Sequence, residues 1–335
     1  MLNRRFLPLI FLVMAIIVLA LPVVIKDLYH LHVLITVFLN VVLASSLFII
    51  VTMGEMSLAH SGFVGIGAYA SAVLVTKVGL PFWISLPLAG VAAVAVAVII
   101  GFPTLRLTGV YFFLVTFALA QVIKLFFMGF FANIFGGGRG IPGIPPPNSI
   151  SIPGLFTIDF NDRVPMYLLA AVIMMVSLLA IYQLLHSRVG KIWKSIEQSR
   201  GLAQSSGINV MKYKIMAFAT ACFFAGVVGS FTAHYNAVIT PEDFTFASSV
   251  NYVIYMVVGG VGSLLGPMVG APVLTIAREL LAAFPYVVGL LFGGVLVVVL
   301  LFMPDGFIGL PRQLASFRGA WNPWLCSLVK KLSSL

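Results

Sequence analysis

The sequence predicts an all-α integral membrane protein with about ten transmembrane helices. Of its 335 residues, 61% are hydrophobic and 8% are charged, whereas about a quarter of the residues in a soluble domain are charged. Apolar runs of about twenty residues recur along the chain, and this length crosses a bilayer as a helix. A membrane β-barrel would instead show short segments of alternating hydrophobicity.

The predicted helices follow one another with short polar turns between them. An excess of Lys and Arg at alternate turns predicts which ends are cytosolic, and it places both termini on that side. We treat residues 1–311 as one transmembrane domain and 312–335 as a cytosolic tail. In chain order, the predicted helices and glycine-rich membrane segments cover 6–25, 34–51, 54–73, 82–102, 110–131, 166–185, 215–235, 247–260, 259–273, 274–283 and 287–303.

Two of these segments are rich in glycine and other small residues, which allow helices to pack closely. In 54–73, a break near Glu55 to His60 would expose backbone polar groups at membrane depth, where only protein or a water-filled cavity can cover them. The segment is therefore either a broken helix beside a solute pathway or a cytosolic turn between two spans. Ser57-Leu58 and Ser263-Leu264 begin similar patterns, which indicates either a weak internal repeat or chance similarity.

The segment 186–214 is the one long basic interruption of the apolar chain, and we call it the coupling segment. It has six Lys and Arg residues and one acid, Glu197, so it is predicted to be cytosolic. Ile192, Trp193 and Ile196 recur at helical spacing, which predicts a short amphipathic helix on the membrane surface. A plain basic loop against lipid headgroups is the other interpretation.

A second polar interruption, 132–165, is too rich in Gly and Pro to cross the membrane and is predicted to be the largest external loop. Its acids Asp159 and Asp162 suit that side. The loop contains GGGRG, but no Gly-Lys-Ser/Thr follows and no predicted strand precedes it. A phosphate-binding loop is therefore not indicated.

Several stretches taken together resemble the LivM-type permease subunits of ATP-driven branched-chain amino acid importers. The set covers most of the chain between Gly54 and Leu310, in the family's order. The resembling stretches are GEMSLAHSGFVGIGAY, RLTGVYFFLVTFALAQ, GGGRGIPGIP, GINVMKYKIMAFATACFFAGVVGSFTAHY, GGVGSLLGPMVGAPVLT and LFMPDGFIGL.

This resemblance implies a type II-like importer permease in the bacterial inner membrane. The expected partners are a LivH-like sister permease, two cytosolic ATPase subunits, a periplasmic binding protein and the lipid bilayer. The coupling segment would then dock on an ATPase, with apolar contacts from Ile192, Trp193 and Ile196 and polar contacts from Glu197 and Arg200. Of the family's pattern before GIN, the chain keeps Glu197, Ala203 and Gly207, but it has Gln198, Arg200 and serines elsewhere.

The sequence shows no ATPase motif, catalytic triad or metal-ligand cluster, so we expect no enzyme activity and no cofactor in this chain, with ATP bound by the partners. Its net charge of +10 follows from topology and does not indicate nucleic acid. Polar residues at membrane depth are costly and are candidates for a solute path. They are Ser57, His60, Tyr69, Thr116, Gln121, His234 and Asn251. For His60 and His234, an interfacial histidine bonded to backbone is the alternative.

A second function class is a stand-alone, ion-coupled secondary transporter, which glycine-broken helices and an internal repeat would fit. Only Glu55 and Glu279 are plausible intramembrane carboxylates for an ion site. A membrane enzyme or scaffold is a third class. The solute is expected to be a branched-chain amino acid, but the resembling family also includes permeases for urea and short-chain amides.

Overall fold

The computed structural model describes residues 21–22, 27–130, 132–152 and 156–282, and the isolated positions 293–294, 297 and 306–307. Apart from these positions, the predicted spans 6–25 and 287–303 and the tail 312–335 lie outside the described residues. The chain divides into two compact units, residues 1–253 and 254–335, and each is described by itself.

Long apolar helices dominate the described part of the chain. Five of them, α1, α3, α4, α6 and α9, are long and apolar enough to cross a membrane, which fits the predicted class but is fewer than the ten spans predicted. The helices are α1 (Leu28–Val51), α2 (His60–Thr76), α3 (Phe82–Thr104), α4 (Val110–Gly129), α5 (Ala132–Phe135), α6 (Arg163–His186), α7 (Arg188–Gln198), α8 (Arg200–Ser205), α9 (Val210–Asn236), α10 (Phe246–Gly259) and α11 (Leu265–Leu281).

Helix α1 begins earlier than the hydrophobicity of the sequence indicates. The predicted span begins at residue 34, but His30 and His32 before it already lie in the first turns of α1. The Asp27 side chain accepts a hydrogen bond from the Tyr29 N–H at 3.1 Å and so caps the helix, which a carboxylate at this position does well. This capping interaction determines where α1 begins, and a hydropathy profile does not detect it.

The first unit is built around α2 and α9, which approach each other at glycines. A Cβ atom on Gly67 would collide with the Gly226 backbone, and one on Gly229 would collide with the Val64 carbonyl. Helix α9 also packs on α1 and α3. The small residues therefore allow the close helix packing that the sequence predicted.

The break predicted near Glu55 to His60 is present, since residues 52–59 are not helical and α2 begins at His60. Protein covers the exposed backbone there. The Leu58 N–H donates to Thr116 Oγ1 at 3.0 Å, and the Ala59 N–H donates to Ser57 Oγ at 3.3 Å. This coverage fits a broken helix, and the choice between that and a cytosolic turn between two spans stays a prediction.

The second glycine-rich segment has the same local geometry. Gly54 and Gly260 each have a positive φ, and three residues later Ser57 and Ser263 each accept an N–H from the residue two positions ahead. One prediction here was wrong: 259–273 and 274–283 are not two segments, because α11 runs through both, with Pro272 inside it. A proline is tolerated in such a helix when neighbouring groups satisfy the freed carbonyl.

The predicted loop 132–165 has short strands. β1 (Ile141–Pro142) pairs antiparallel with β4 (Val238–Ile239), which follows α9. β2 (Ile150–Ile152) pairs antiparallel with β3 (Phe156–Ile158). The Ile144 N–H donates to the Ala237 carbonyl at 3.0 Å, so these strands hold the loop against the C-terminal end of α9.

Candidate functional site

The coupling segment folds into the predicted amphipathic helix, α7, and a second short helix, α8. A serine is the N-cap residue of each helix. The Ser187 side chain accepts the Val189 and Gly190 N–H groups, and the Ser199 side chain accepts the Leu202 N–H, as N-cap residues do. The last part of the predicted segment, 210–214, already belongs to the first two turns of α9.

The apolar face of α7 is covered by this chain's own residues. Trp193 is fully buried, and its indole Nε1 donates to the Tyr213 carbonyl at 2.9 Å. Ile196 packs with Ala203 and Val210, and Ile192 lies partly buried against them. The prediction that Trp193 and Ile196 contact an ATPase directly does not fit this burial. Their role in the structure is to fix α7 against α9.

The exposed face of the coupling segment consists of other residues. Arg188, Lys191, Lys194 and Glu197 recur at three-residue spacing along α7 and are exposed. Leu202 at the start of α8 is 70% exposed. Our sequence interpretation missed Leu202, because it is a single apolar residue between a glycine and an alanine and belongs to no stripe. Of the predicted residues, Glu197 and Gly207 are exposed and Ala203 is buried.

The coupling segment contributes two cations to a buried ionic cluster around Glu55, which we call the Glu55 cluster. Glu55 Oε1 accepts from Arg200 Nη2 at 2.5 Å and from Lys214 Nζ at 2.7 Å. Glu55 Oε2 accepts from the Gly109 N–H at 3.0 Å. The cluster joins four parts of the chain: the break before α2, the turn between α3 and α4, the start of α8 and the first turns of α9.

The burial of these groups makes the cluster sensitive to change. The Glu55 side chain is fully buried and that of Lys214 is 4% exposed, whereas the Arg200 side chain is 35% exposed. Removing one partner of a buried ion pair leaves a charge without compensation and costs about 3–5 kcal/mol. The pair with Lys214 therefore carries more of the energy than the pair with Arg200, which water screens in part.

Of the two residues predicted to make polar contacts with an ATPase, Arg200 turns inward to Glu55. Glu197 is exposed, and its contact with an ATPase stays a prediction. A Cβ atom on Gly54 would lie 3.5 Å from the Glu197 Cα, so the break before α2 is in direct contact with α7. Glycine allows both this approach and the positive φ of Gly54.

Three predicted path residues gather beside the Glu55 cluster at the start of α2. Ser57 and Thr116 accept the N–H groups described above. His60 is buried, and its Nε2 lies 2.8 Å from Ser46 Oγ. In the part of the chain that the structure describes, His60 Nδ1 has no hydrogen-bond partner, so the alternative of a backbone-satisfied interfacial histidine does not hold.

His234 lies at the other end of the first unit, near the C-terminal end of α9. Its Nε2 is 3.0 Å from Ser71 Oγ, and its Nδ1 is 2.6 Å from the Pro145 carbonyl. Ser230 also donates to Ser71, at 2.8 Å. His234 is therefore bonded both to backbone and to a side chain, and its place in a solute path stays a prediction.

The remaining predicted path residues do not join either group by hydrogen bonds. Tyr69 is buried and stacks on Phe127 with ring centroids 4.1 Å apart, and its hydroxyl has no partner among the described residues. Gln121 on α4 and Asn251 on α10 are half-buried. Of the seven predicted path residues, three therefore lie together at the start of α2, His234 lies at the other end of the unit, and Tyr69, Gln121 and Asn251 join neither group.

Among the described residues, no group of three or more His, Cys, Asp or Glu side chains lies close enough together to hold a metal ion. The polar side chains that are present form ion pairs and hydrogen bonds with one another. The Glu55 carboxylate connects four segments of the chain through two ion pairs and one backbone hydrogen bond.

Comparison with known proteins gives a consistent result. A family model described as "Branched-chain amino acid transport system / permease component" matches residues 29–302. The high-affinity branched-chain amino acid transport system permease protein LivM of Escherichia coli K12 is 32% identical over 285 residues, 80% of this chain and 67% of that protein. LivM of Salmonella typhimurium is 32% identical over 77% of this chain and 65% of its own length.

A second kind of permease protein also matches. LivH of Escherichia coli K12, named for the same high-affinity transport system, is 28% identical over 176 residues, 49% of this chain and 56% of that protein. No solved structure matches the chain. The similarity therefore extends to both kinds of permease protein, with the higher identity and coverage to LivM.

Proposed function

Since this chain belongs to the family of permease components of branched-chain amino acid transport systems, we propose that it is the LivM-like subunit of an ATP-driven importer. It passes a branched-chain amino acid or a similar small solute from a periplasmic binding protein to the cytosol. It lies in the bacterial inner membrane with about ten spans and with both termini and the coupling segment in the cytosol.

The partners in this proposal supply what the chain lacks. A LivH-like sister permease completes the pathway, a binding protein delivers solute, and two cytosolic ATPases bind and hydrolyse the ATP. This chain needs no cofactor of its own. Support comes from the family match and from the basic coupling segment, because Lys- and Arg-rich loops remain cytosolic.

The observation that carries the proposal is the bonding of the buried Glu55 to Arg200 and Lys214. A movement that an ATPase imposes on α7 and α8 reaches Arg200, and through Glu55 it reaches the break before α2. There the polar groups of Ser57, His60 and Thr116 lie next to the moving segment. Rigid-body displacement of a few packed helices is the usual way in which transporters open one side and close the other.

The ATPase would contact the exposed side of the coupling segment. Leu202 supplies the apolar contact, and Lys191, Lys194 and Glu197 supply the polar ones. The Leu202 side chain is 70% exposed, so its burial in an apolar pocket of the ATPase would be favourable. Trp193 and Ile196 act from inside by holding α7 in place.

The proposal is tested by purifying the tagged chain from native membranes in mild detergent and measuring the associated ATPase activity. Wild type should bring down a second permease and two ATPases. Leu202→Asp should lose them, whereas Gln204→Asp, which adds the same charge on another face of α8, should retain them. Retention of solute-stimulated ATPase activity by the Leu202→Asp complex would contradict the assigned docking contact.

A stand-alone secondary transporter is less well supported. The Glu55 carboxylate, the first candidate for an ion site, already accepts bonds from two cations and one N–H. If the purified chain has no ATPase partner and transports solute in liposomes under an ion gradient alone, that alternative is the correct one.

A further inference from the structure

Two cavities with shared lining residues lie at the end of the first unit away from the coupling segment. The first, of about 380 Å³, is lined by His32, Arg163, Tyr235, Thr240 and Asp243, among others. The second, of about 280 Å³, shares Arg163 and Tyr235 with the first. We call the two together the paired cavity, and Arg163 and Tyr235 line both parts of it.

The paired cavity lies across the bilayer from the coupling segment. Helix α6 begins at Arg163 and ends at His186, immediately before α7. Its 24 residues, at about 1.5 Å per residue, extend about 36 Å, which exceeds the hydrocarbon thickness of a membrane. In the importer proposed above, the paired cavity is therefore at the mouth that receives solute.

Arg163 is held in place without a carboxylate partner. Its Nη1 donates to the Tyr235 hydroxyl at 3.1 Å, and His32 Nδ1 lies 2.7 Å from the same hydroxyl. Within the described residues, no carboxylate oxygen lies within 4 Å of the guanidinium. A guanidinium has five N–H donors in a planar fork that matches a carboxylate, so the geometry leaves donors for an anionic group.

Asp243 supplies a carboxylate in the first cavity. Its Oδ2 accepts the Thr240 N–H at 2.7 Å and the Thr240 hydroxyl at 3.0 Å, which fixes the side chain. Its other oxygen, Oδ1, has no hydrogen bond recorded within the described part of the chain. The first cavity thus contains both a fixed cation and a fixed anion, and neither is paired with the other.

The second cavity is less polar. Phe160 and Met166 line it and are otherwise buried, and Pro146 lies beside them. Asp162 also lines it, so each cavity has one acid near Arg163. A branched aliphatic side chain would lie against Phe160 and Met166, since each buried CH₂ group contributes about 0.8 kcal/mol. Asn161 and His234 make the rest of this cavity polar.

We propose that the paired cavity is an acceptance site for a zwitterionic α-amino acid, and this rests on the importer function proposed above. The solute's carboxylate bonds to Arg163, its ammonium bonds to Asp243, and its aliphatic side chain enters the second cavity. A solute such as urea carries neither charge and is not held. The site therefore selects amino acids over amides after the binding protein has released them.

The test uses the assembled importer in liposomes with a photoreactive leucine analogue that carries a diazirine. In wild type, the analogue should crosslink to peptides containing Tyr235 or Met166, and L-leucine but not urea should compete. Arg163→Gln and Asp243→Asn should each reduce crosslinking and leucine uptake about tenfold, and Arg163→Lys should recover part of both. Binding-protein affinity for the importer should be unchanged.

Controls separate charge loss in general from loss at this site. Arg139→Gln and Asp159→Asn remove the same charges from exposed positions of the 132–165 loop that line neither cavity. Asp159 is ionised and suits this purpose, because the backbone and side-chain N–H groups of Asn161 hold its pKa below the ordinary value. Both controls should take up leucine as wild type does.

Three outcomes would overturn the proposal. Normal crosslinking in both Arg163→Gln and Asp243→Asn would show that neither charge holds the solute. Weaker binding-protein affinity in Arg163→Gln, with no crosslink in wild type, would make the cavity a docking surface for that protein. Loss of crosslinking in Asp162→Asn but not in Asp243→Asn would make the ammonium assignment wrong. Failure of the importer function itself is distinguishable, since wild type would then show no ATP-driven uptake.

Discussion

Changing Glu55 to Gln keeps the size of the side chain and removes its charge. The Lys214 ammonium, 4% exposed, would then have no anion within 4 Å among the described residues. Breaking a buried ion pair costs about 3–5 kcal/mol. The amide oxygen still accepts one hydrogen bond and Arg200 can reach water, so we expect a loss of about 2–3 kcal/mol from the contacts that join the coupling segment to α2.

This loss should appear as poorer coupling of hydrolysis to transport. We expect the number of solute molecules transported per ATP to fall about tenfold, which corresponds to only about 1.4 kcal/mol, while ATP hydrolysis continues. The assay is the assembled importer in liposomes, with uptake and phosphate release measured on the same sample. A protonophore should be present throughout, so that a proton gradient cannot drive the uptake that is measured.

The double variant Glu55→Gln, Lys214→Met separates stability from coupling. Removing the unpaired ammonium should restore the thermal midpoint, since replacing a buried ion pair by uncharged groups is often neutral. Coupling should stay poor, because Arg200 still lacks its anion. A wild-type ratio of transport to hydrolysis in Glu55→Gln would refute the assigned role of the Glu55 cluster.

Three further substitutions test other parts of the structure. Trp193→Ala should cost about 3–5 kcal/mol, as truncation of a buried tryptophan does, and should lower the thermal midpoint and the yield of assembled importer. Gly67→Ala should prevent folding, because the new methyl group meets the Gly226 backbone, whereas Gly129→Ala on α4, with nothing nearby, should be tolerated in the same solubility and melting assay. Tyr69→Phe should leave stability and leucine uptake unchanged, because the buried hydroxyl that it removes has no partner in the described chain.

For each of these three substitutions, the result opposite to the expected one would contradict the assignment that it tests. A Trp193→Ala importer with normal melting but no bound ATPase would return Trp193 to a direct docking role. Normal folding of Gly67→Ala would contradict the close approach of α2 and α9. A fall in leucine uptake in Tyr69→Phe, without loss of stability, would place the hydroxyl in the solute path as the sequence predicted.

The helices could be predicted well because hydropathy alone determines where a chain can cross a bilayer. The predicted spans 82–102 and 110–131 end within two residues of α3 and α4. The start of α1 was predicted wrongly because it depends on Asp27, and the continuity of α11 was missed because Pro272 suggests a break. Both depend on local hydrogen bonding, which a hydropathy pattern does not contain.

The functional residues were predicted less well, for a different physical reason. An amphipathic pattern shows that α7 has an apolar face, but it cannot show whether that face meets another protein or the protein's own core. Trp193 was therefore assigned to a partner although it packs on Tyr213. Glu55 and Arg200 are 145 positions apart in the chain, and no sequence pattern joins them.

Helix α9 is hydrogen-bonded near both of its ends. Lys214 in its second turn bonds to Glu55, and Tyr235 in its last turn bonds to Arg163 and His32. If ATPase docking and solute acceptance each favour one position of this helix, they are thermodynamically linked, and linkage is reciprocal. An amino acid in the paired cavity would then change ATPase affinity at the opposite membrane face by the same factor by which the docked ATPase changes amino acid affinity.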